Sequence, residues 1–133
     1  MLLDTSFCID LMKEQAGGRS GPATEKLASL GEERLAISVF TLGELFAGAE
    51  SSTNIRKEHE RLKALIDTIN VIYPEKRFAR IYGETVSFLK RSGTPVPLMD
   101  VLIGTSAKEH GLAVLTRDVS HFRRIPVLSV MEY

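Results

Sequence analysis

Leu112-Ala113-Val114-Leu115-Thr116-Arg117-Asp118 is the stretch whose reading decides the fold. An apolar run of this length, preceded by Gly111 and closed by a charged turn, predicts a strand buried on both faces. It follows an amphipathic helix over about residues 99–110, for which Gly111 is a natural stop. The same strand-and-helix unit recurs upstream. Residues 1–3 read as a short buried strand, and Asp4, Thr5 and Ser6 can cap a helix running to about Lys13. Residues 35–38 are a further apolar run, after which Leu42, Leu45, Phe46 and Ala49 fall on one helical face. Residues 70–73 form a strand ended by Pro74, and Phe78, Ile81, Tyr82, Thr85, Phe88 and Leu89 line one side of a helix over about residues 75–91. Helices over residues 23–31, opened by Pro22, and 55–69 fill the intervals. Short apolar strands alternating with helices predict one α/β domain over residues 1–133: a three-layer fold with a mostly parallel sheet of about five strands. The fifth strand is predicted over residues 125–130, at an edge, because Pro126 cannot donate to a ladder.

Composition narrows the function classes. With 17 basic and 17 acidic residues the formal charge is zero, so nucleic-acid binding would have to come from uneven charge distribution. The lone Cys8 excludes an internal disulfide and a cysteine-rich zinc site, and points to a reducing, cytoplasmic setting. The start has no basic leader, and Asp4 and Asp10 interrupt its apolar residues, so neither a signal peptide nor a membrane span is expected.

Four acids stand at structurally related places. Asp4 ends the first strand, and Asp118 follows the strand at 112–116 by two residues. Ligands of open parallel sheets gather beyond the carboxyl ends of strands, where strand order reverses, so these acids meet if their strands are neighbours. Asp100 opens the helix after the loop stiffened by Pro95 and Pro97, where a helix-start acid also faces free backbone N–H groups. Glu44 lies among Leu42, Leu45 and Phe46, a setting in which a carboxylate seldom goes without a partner. Converging carboxylates repel unless a cation neutralises them, and Mg²⁺ or Mn²⁺ suits oxygen donors. Two such ions about 3.5–4 Å apart would suit phosphodiester cleavage. Ser6 and Thr116 are placed to orient the carboxylates or metal-bound water, with helix capping and strand propensity as their plain alternatives.

These segments resemble the PIN-domain family, and within it the VapC-type ribonuclease toxins of prokaryotic toxin–antitoxin pairs. The similarity runs through Leu3-Asp4-Thr5-Ser6, through residues 37–45 with Gly48, through residues 97–107, and through Leu115-Thr116-Arg117-Asp118 to Phe122. The resemblance implies a PIN-like three-layer fold and Mg²⁺- or Mn²⁺-dependent cleavage of RNA. It also implies frequent homodimerisation and inhibition by a cognate VapB-type antitoxin whose tail occupies the active groove. Asp4, Glu44 and Asp100 match the family's metal-binding acids. Asp118 stands where the family carries asparagine or aspartate. His121 departs from the pattern, since the family often has an acid there. It would weaken a second metal position, position phosphate or water, or lie in a surface turn.

Arg117, Arg123 and Arg124 flank the Asp118 turn and are candidate phosphate contacts, which would position a backbone without reading bases. Apolar faces including Leu65, Ile69, Phe88 and Leu89 suggest a homodimer interface. Two rivals remain at this level. One is a catalytically silent PIN-like RNA-binding or regulatory module, its metal centre spoiled by His121. The other is a metal-dependent phosphatase, disfavoured because Asp4-Thr5-Ser6 lacks an Asp-x-Asp pair.

Overall fold

In a computed structural model describing residues 1–133, the apolar runs become strands β1 (Leu2–Leu3), β2 (Ala36–Ser38), β3 (Asn70–Ile72), β4 (Val114–Thr116) and β5 (Val130–Glu132). They form one sheet in the order β3-β2-β1-β4-β5, and every neighbouring pair is parallel. The helices are α1 (Thr5–Ala16), α2 (Pro22–Ser29), α3 (Val39–Glu50), α4 (Ile55–Ile66), α5 (Phe78–Ser92), α6 (Leu98–His110) and α7 (Val119–Phe122). None is long and apolar enough to cross a membrane.

β1 holds the centre. Leu2 pairs with Ala36 on one side and Val114 on the other, and the Asp4 N–H donates to the Leu115 carbonyl at 3.0 Å. The chain lays β1, β2 and β3 outward to one edge, then crosses back to set β4 on the free side of β1. The order therefore reverses between β1 and β4, the point at which open parallel sheets leave a crevice. Successive strand residues feed opposite faces. Leu3, Ile37 and Leu115 join Phe7, Leu11 and Leu62 in one core layer. Leu2, Ala36 and Val114 join Ile103, Ala107 and Phe122 in the other. Each large apolar side chain fully buried here contributes about 1.5–3 kcal/mol.

Several boundaries differ from those read in the sequence, each with a local cause. α1 continues to Ala16, and the Glu14 carboxylate in its last turn caps α2 by accepting from the Ala23 and Thr24 N–H groups at 3.2 and 2.8 Å. α5 starts at Phe78 instead of Glu75. The buried Glu109 carboxylate accepts from the Glu75 and Arg77 N–H groups at 2.9 and 3.0 Å, which holds that segment in a turn. α4 ends at Ile66, leaving Ile69 to enter the core from the following turn. Phe46 does not share the inward face of α3. It is 39% exposed and sits edge-on to His59.

The last strand is the clearest correction. β5 is an edge strand, but it spans Val130–Glu132 and not residues 125–130. Ile125 is instead buried against α6, where Gly104 lets it approach so closely that a Cβ there would lie 2.5 Å from Ile125 Cδ1. Pro126 and Val127 then turn the chain. The expected dimer faces also shrink, because Leu65, Ile69 and Leu89 are consumed by the protein's own core and only Phe88 stays 40% exposed.

Val127 has φ 58° and is 95% exposed. A β-branched residue there is strained, at a cost of about 1–2 kcal/mol. Glycine removes that cost but adds roughly 0.5–1 kcal/mol of unfolded-chain entropy. Val127→Gly is expected to stabilise the protein by several tenths of a kcal/mol. Urea denaturation would read this as a higher midpoint at unchanged slope, and an unchanged or lower midpoint would show that the turn relaxes around valine.

Candidate metal centre

The segments following β1 and β4 supply one wall of an acidic cleft of about 450 Å³, and α3 and α6 supply the other acids. Asp4, Glu44, Asp100 and Asp118 all line it, together with Ser6. An apolar hollow of similar size, about 440 Å³, lies between α5 and the loop before α6, but it contains no carboxylate.

Asp4 occupies the N-cap position of α1 without making a side-chain cap bond. Its carboxylate is buried, and Oδ2 accepts from the Ser6 and Thr116 hydroxyls at 2.9 and 2.8 Å. Those bonds leave Oδ1 for the cleft. The Thr116 hydroxyl also accepts from the Asp118 N–H at 2.9 Å, so one side chain ties Asp4 to the turn carrying Asp118. Ser38, at the end of β2, caps α3 by accepting from the Thr41 N–H at 3.0 Å. That cap sets the phase of α3, and Glu44 follows one turn later, where its Oε2 accepts from the Thr5 hydroxyl.

Asp100 lies in the first turn of α6, three residues after its N-cap Pro97. Its Oδ2 faces His121 Nδ1 at 2.8 Å, and Asp118 Oδ2 lies 3.1 Å from the same nitrogen. A nitrogen between two carboxylates serves as a donor. Burial raises the Asp100 carboxyl above its ordinary value; the His121 bond opposes this, while Asp4 and Asp118 add to it. Asp118 is more exposed and also accepts from the Ser120 hydroxyl at 2.9 Å. One donor atom from each of Asp100, Asp118 and His121 falls within 4.8 Å of the others, a spacing that would hold a metal ion. The donor set fits a hard divalent cation, being mostly carboxylate oxygen with one imidazole nitrogen.

The arginines separate. Arg117 lines the cleft. Arg123 and Arg124 are exposed outside it, and Arg124 donates to the Pro95 carbonyl at 2.9 Å. Arg77 donates to the Glu109 carbonyl and Arg80 to Glu84, and neither lines the cleft. His59 pairs with Glu50, and His110 lies against Ser106 and Glu75. The sequence reading missed Thr5, Asp10 and Lys13 as lining residues. Ser6, Asp10 and Lys13 are spaced by four and three residues, one face of α1, and that periodicity was the signal available.

The PIN-domain family model matches residues 1–128. Over 133 residues the chain is 30% identical to Ribonuclease VapC1 of Haemophilus influenzae (strain R2866), spanning 99% of this chain and 96% of that protein. It is also 30% identical over 132 residues to the tRNA(fMet)-specific endonuclease VapC of Salmonella typhimurium, with the same coverages. The structure of DNA-bound VapBC from Salmonella typhimurium aligns with TM-score 0.87 at 30% identity, covering 98% of this chain and 96% of that one. The structure of VapBC2 from Rickettsia felis bound to a promoter DNA fragment aligns with TM-score 0.90 at 22% identity, covering 99% and 97%, a likeness of fold.

Because the folded-state carboxyl of Asp100 is raised, the folded protein binds more protons than the unfolded chain above the ordinary value of 3.8. Metal-free stability from this group is therefore full at lower pH and is lost as pH rises through the raised value. In EDTA, Asp100→Asn is expected to remove that part of the pH dependence and to melt no lower than wild type at neutral pH. With Mn²⁺ the order should reverse, since the wild type gains more from ion binding. Thermal melts across pH with and without Mn²⁺ read both effects. Equal Mn²⁺ stabilisation of the two proteins would remove Asp100 from the ligand set, and a collapsed apo variant would make it a structural residue.

Proposed function

The chain belongs to the PIN-domain family, in its VapC branch, and we propose that it is a Mg²⁺- or Mn²⁺-dependent endoribonuclease, the toxin of a toxin–antitoxin pair. The convergence of Asp4, Glu44, Asp100 and Asp118 on one cleft supports this reading above all. These four acids would hold the ion, Asp100 and Asp118 together with His121 at metal-ligand spacing and Asp4 and Glu44 from the same cleft. When bound, it would activate water and offset charge on the leaving oxygen.

The protein's own contribution is to fix the acids before substrate arrives. Ser6 and Thr116 occupy one oxygen of Asp4 and aim the other. Thr5 does the same for Glu44. Arg117 meets phosphate charge at the rim, while Arg123 and Arg124 contact backbone flanking the cleft. Arginine contacts of this kind do not read bases, so base preference must arise elsewhere.

A second reading has one observation in its favour. His121 stands where the family often carries an acid, and its nitrogen sits between Asp100 and Asp118. A silent RNA-binding module would keep the cleft without turnover. Here His121 is instead a replacement donor that moderates repulsion between two carboxylates.

The partner we propose is a VapB-type antitoxin, in keeping with the toxin–antitoxin complexes among the structural relatives. A homodimer is proposed as well, with the exposed Phe88 as part of its contact. Light scattering that finds only monomer at micromolar concentration would remove the dimer.

Purified protein is expected to cleave RNA with Mg²⁺ or Mn²⁺ and to stop with EDTA. Asp4→Asn, Glu44→Gln and Asp100→Asn should each lower the rate by about 100-fold or more, the equivalent of about 3 kcal/mol or more of lost charge stabilisation. Retained cleavage in all three would end the metal-nuclease reading. RNA binding without cleavage by wild type would establish the silent module.

A further inference from the structure

Lys13 and Arg117 are the basic side chains lining the acidic cleft. Arg117 reaches from the turn after β4 across to α1, where its Nη1 donates to Asp10 Oδ2 at 2.6 Å. The same oxygen accepts from the hydroxyl of Tyr133, the last residue, at 3.0 Å. The Tyr133 ring stands edge-on to the buried Phe7, with centroids 4.7 Å apart and planes at 87°. Burial, with the Asp10 contact adding to it, pushes the phenol up to about 12, so it remains a donor throughout the neutral range.

An ordinary surface ion pair contributes little, because two mobile side chains must be ordered to form it. This one differs in its anchoring. Asp10 is short, grows from a helix, is 21% exposed, and is pinned by a phenol whose ring is itself packed. Only Arg117 needs ordering, and the pair orders it before a phosphate arrives. The guanidinium has five N–H donors on a side chain that is 64% exposed, so the contact to Asp10 leaves donors for a bidentate phosphate contact. Without Asp10, the nearest carboxylates for Arg117 on the cleft wall belong to the acids proposed to hold the ion.

We propose that Asp10 and Tyr133 are positioning residues that hold Arg117 at the rim of the cleft as its phosphate-binding cation. This rests on the nuclease reading of that cleft. None of the three residues belongs to the metal set, and Arg117 is only the sequence neighbour of Asp118. Asp10 and Tyr133 act through Arg117 and touch no reacting atom.

The test is a double-mutant cycle on RNA binding, using a single-stranded RNA oligonucleotide of mixed sequence with EDTA to prevent cleavage. Asp10→Ala is made in wild type and in Arg117→Ala. The cycle cancels the general gain in RNA attraction from deleting a negative charge. Asp10→Ala should weaken binding about 3- to 10-fold more when Arg117 is present than when it is absent. Tyr133→Phe keeps every charge and the ring on Phe7, and should weaken binding in the same direction by less. Should Asp10→Ala fail to fold, Tyr133→Phe carries the cycle. Zero coupling would overturn the proposal, and coupling of opposite sign would overturn it by making Asp10 a mask over Arg117. Nitrogen-15 relaxation of the Arg117 side chain gives a readout independent of RNA. Its Nε should gain mobility in Asp10→Ala and Tyr133→Phe, and unchanged order would reject the clasp. Wild type that binds no RNA in EDTA would overturn this proposal, while the nuclease reading stands or falls with the cleavage assay in Mg²⁺ or Mn²⁺. RNA binding by wild type with a null cycle defeats the clasp alone.

Discussion

The parallel pairing of β1 with β4 is the constraint from which the rest follows. Its register brings Leu2 beside Val114 and Leu3 beside Leu115, and the next backbone bond runs from Asp4 to Leu115. A strand of two residues contributes little ladder of its own. It is fixed because Leu2 and Leu3 are fully buried on opposite faces and have neighbours on both sides. A slip of one residue would exchange the two core layers and turn Asp4 away from Thr116. Fold register and cleft geometry are thus one constraint, enforced mainly by apolar burial.

The cleft opposes that burial. Four carboxylates drawn together repel, and burial of Asp100 adds a desolvation cost. The structure answers with neutral donors. Thr5, Ser6 and Thr116 each spend a hydroxyl on an acid, and His121 spends one N–H between two. Hydroxyls orient a carboxylate without a full compensating charge, so the site keeps its attraction for a cation. An arginine at the same positions would cancel it. The one arginine on the cleft wall is instead engaged by Asp10, which belongs to α1 and not to the four acids.

Much of this was legible in the sequence because it depends on local signals. Apolar runs marked β1, β2 and β4, and the reversal of strand order needed only the assumption that β1 and β4 are neighbours, which their pairing meets. Glu44 was conspicuous among apolar residues, and Asp100 followed a stiffened loop. What the sequence hid was settled by contacts far along the chain. Glu109 delays the start of α5 from more than thirty residues away. Ile125 reads as strand, yet it anchors the segment before the turn at Val127, so β5 begins five residues later than expected. Leu65, Ile69 and Leu89 read as surplus apolar area because sequence periodicity gives a face but not what covers it. Asp10 and Tyr133 lie 123 residues apart, and neither carries a motif.

His121 shows where local and distant signals meet. In sequence it is a departure from a family pattern on a short polar turn. In space it closes a triangle with Asp100, on α6, and Asp118, three residues before it. An acid at that place would raise the negative charge of a site already holding four carboxylates, and would require a cation more strongly to fold. Histidine adds no such charge, and its Nδ1 lies 2.8 Å from Asp100 and 3.1 Å from Asp118, where an N–H offsets their repulsion. The buried sheet registry beneath the cleft keeps these acids in place independently of any cation.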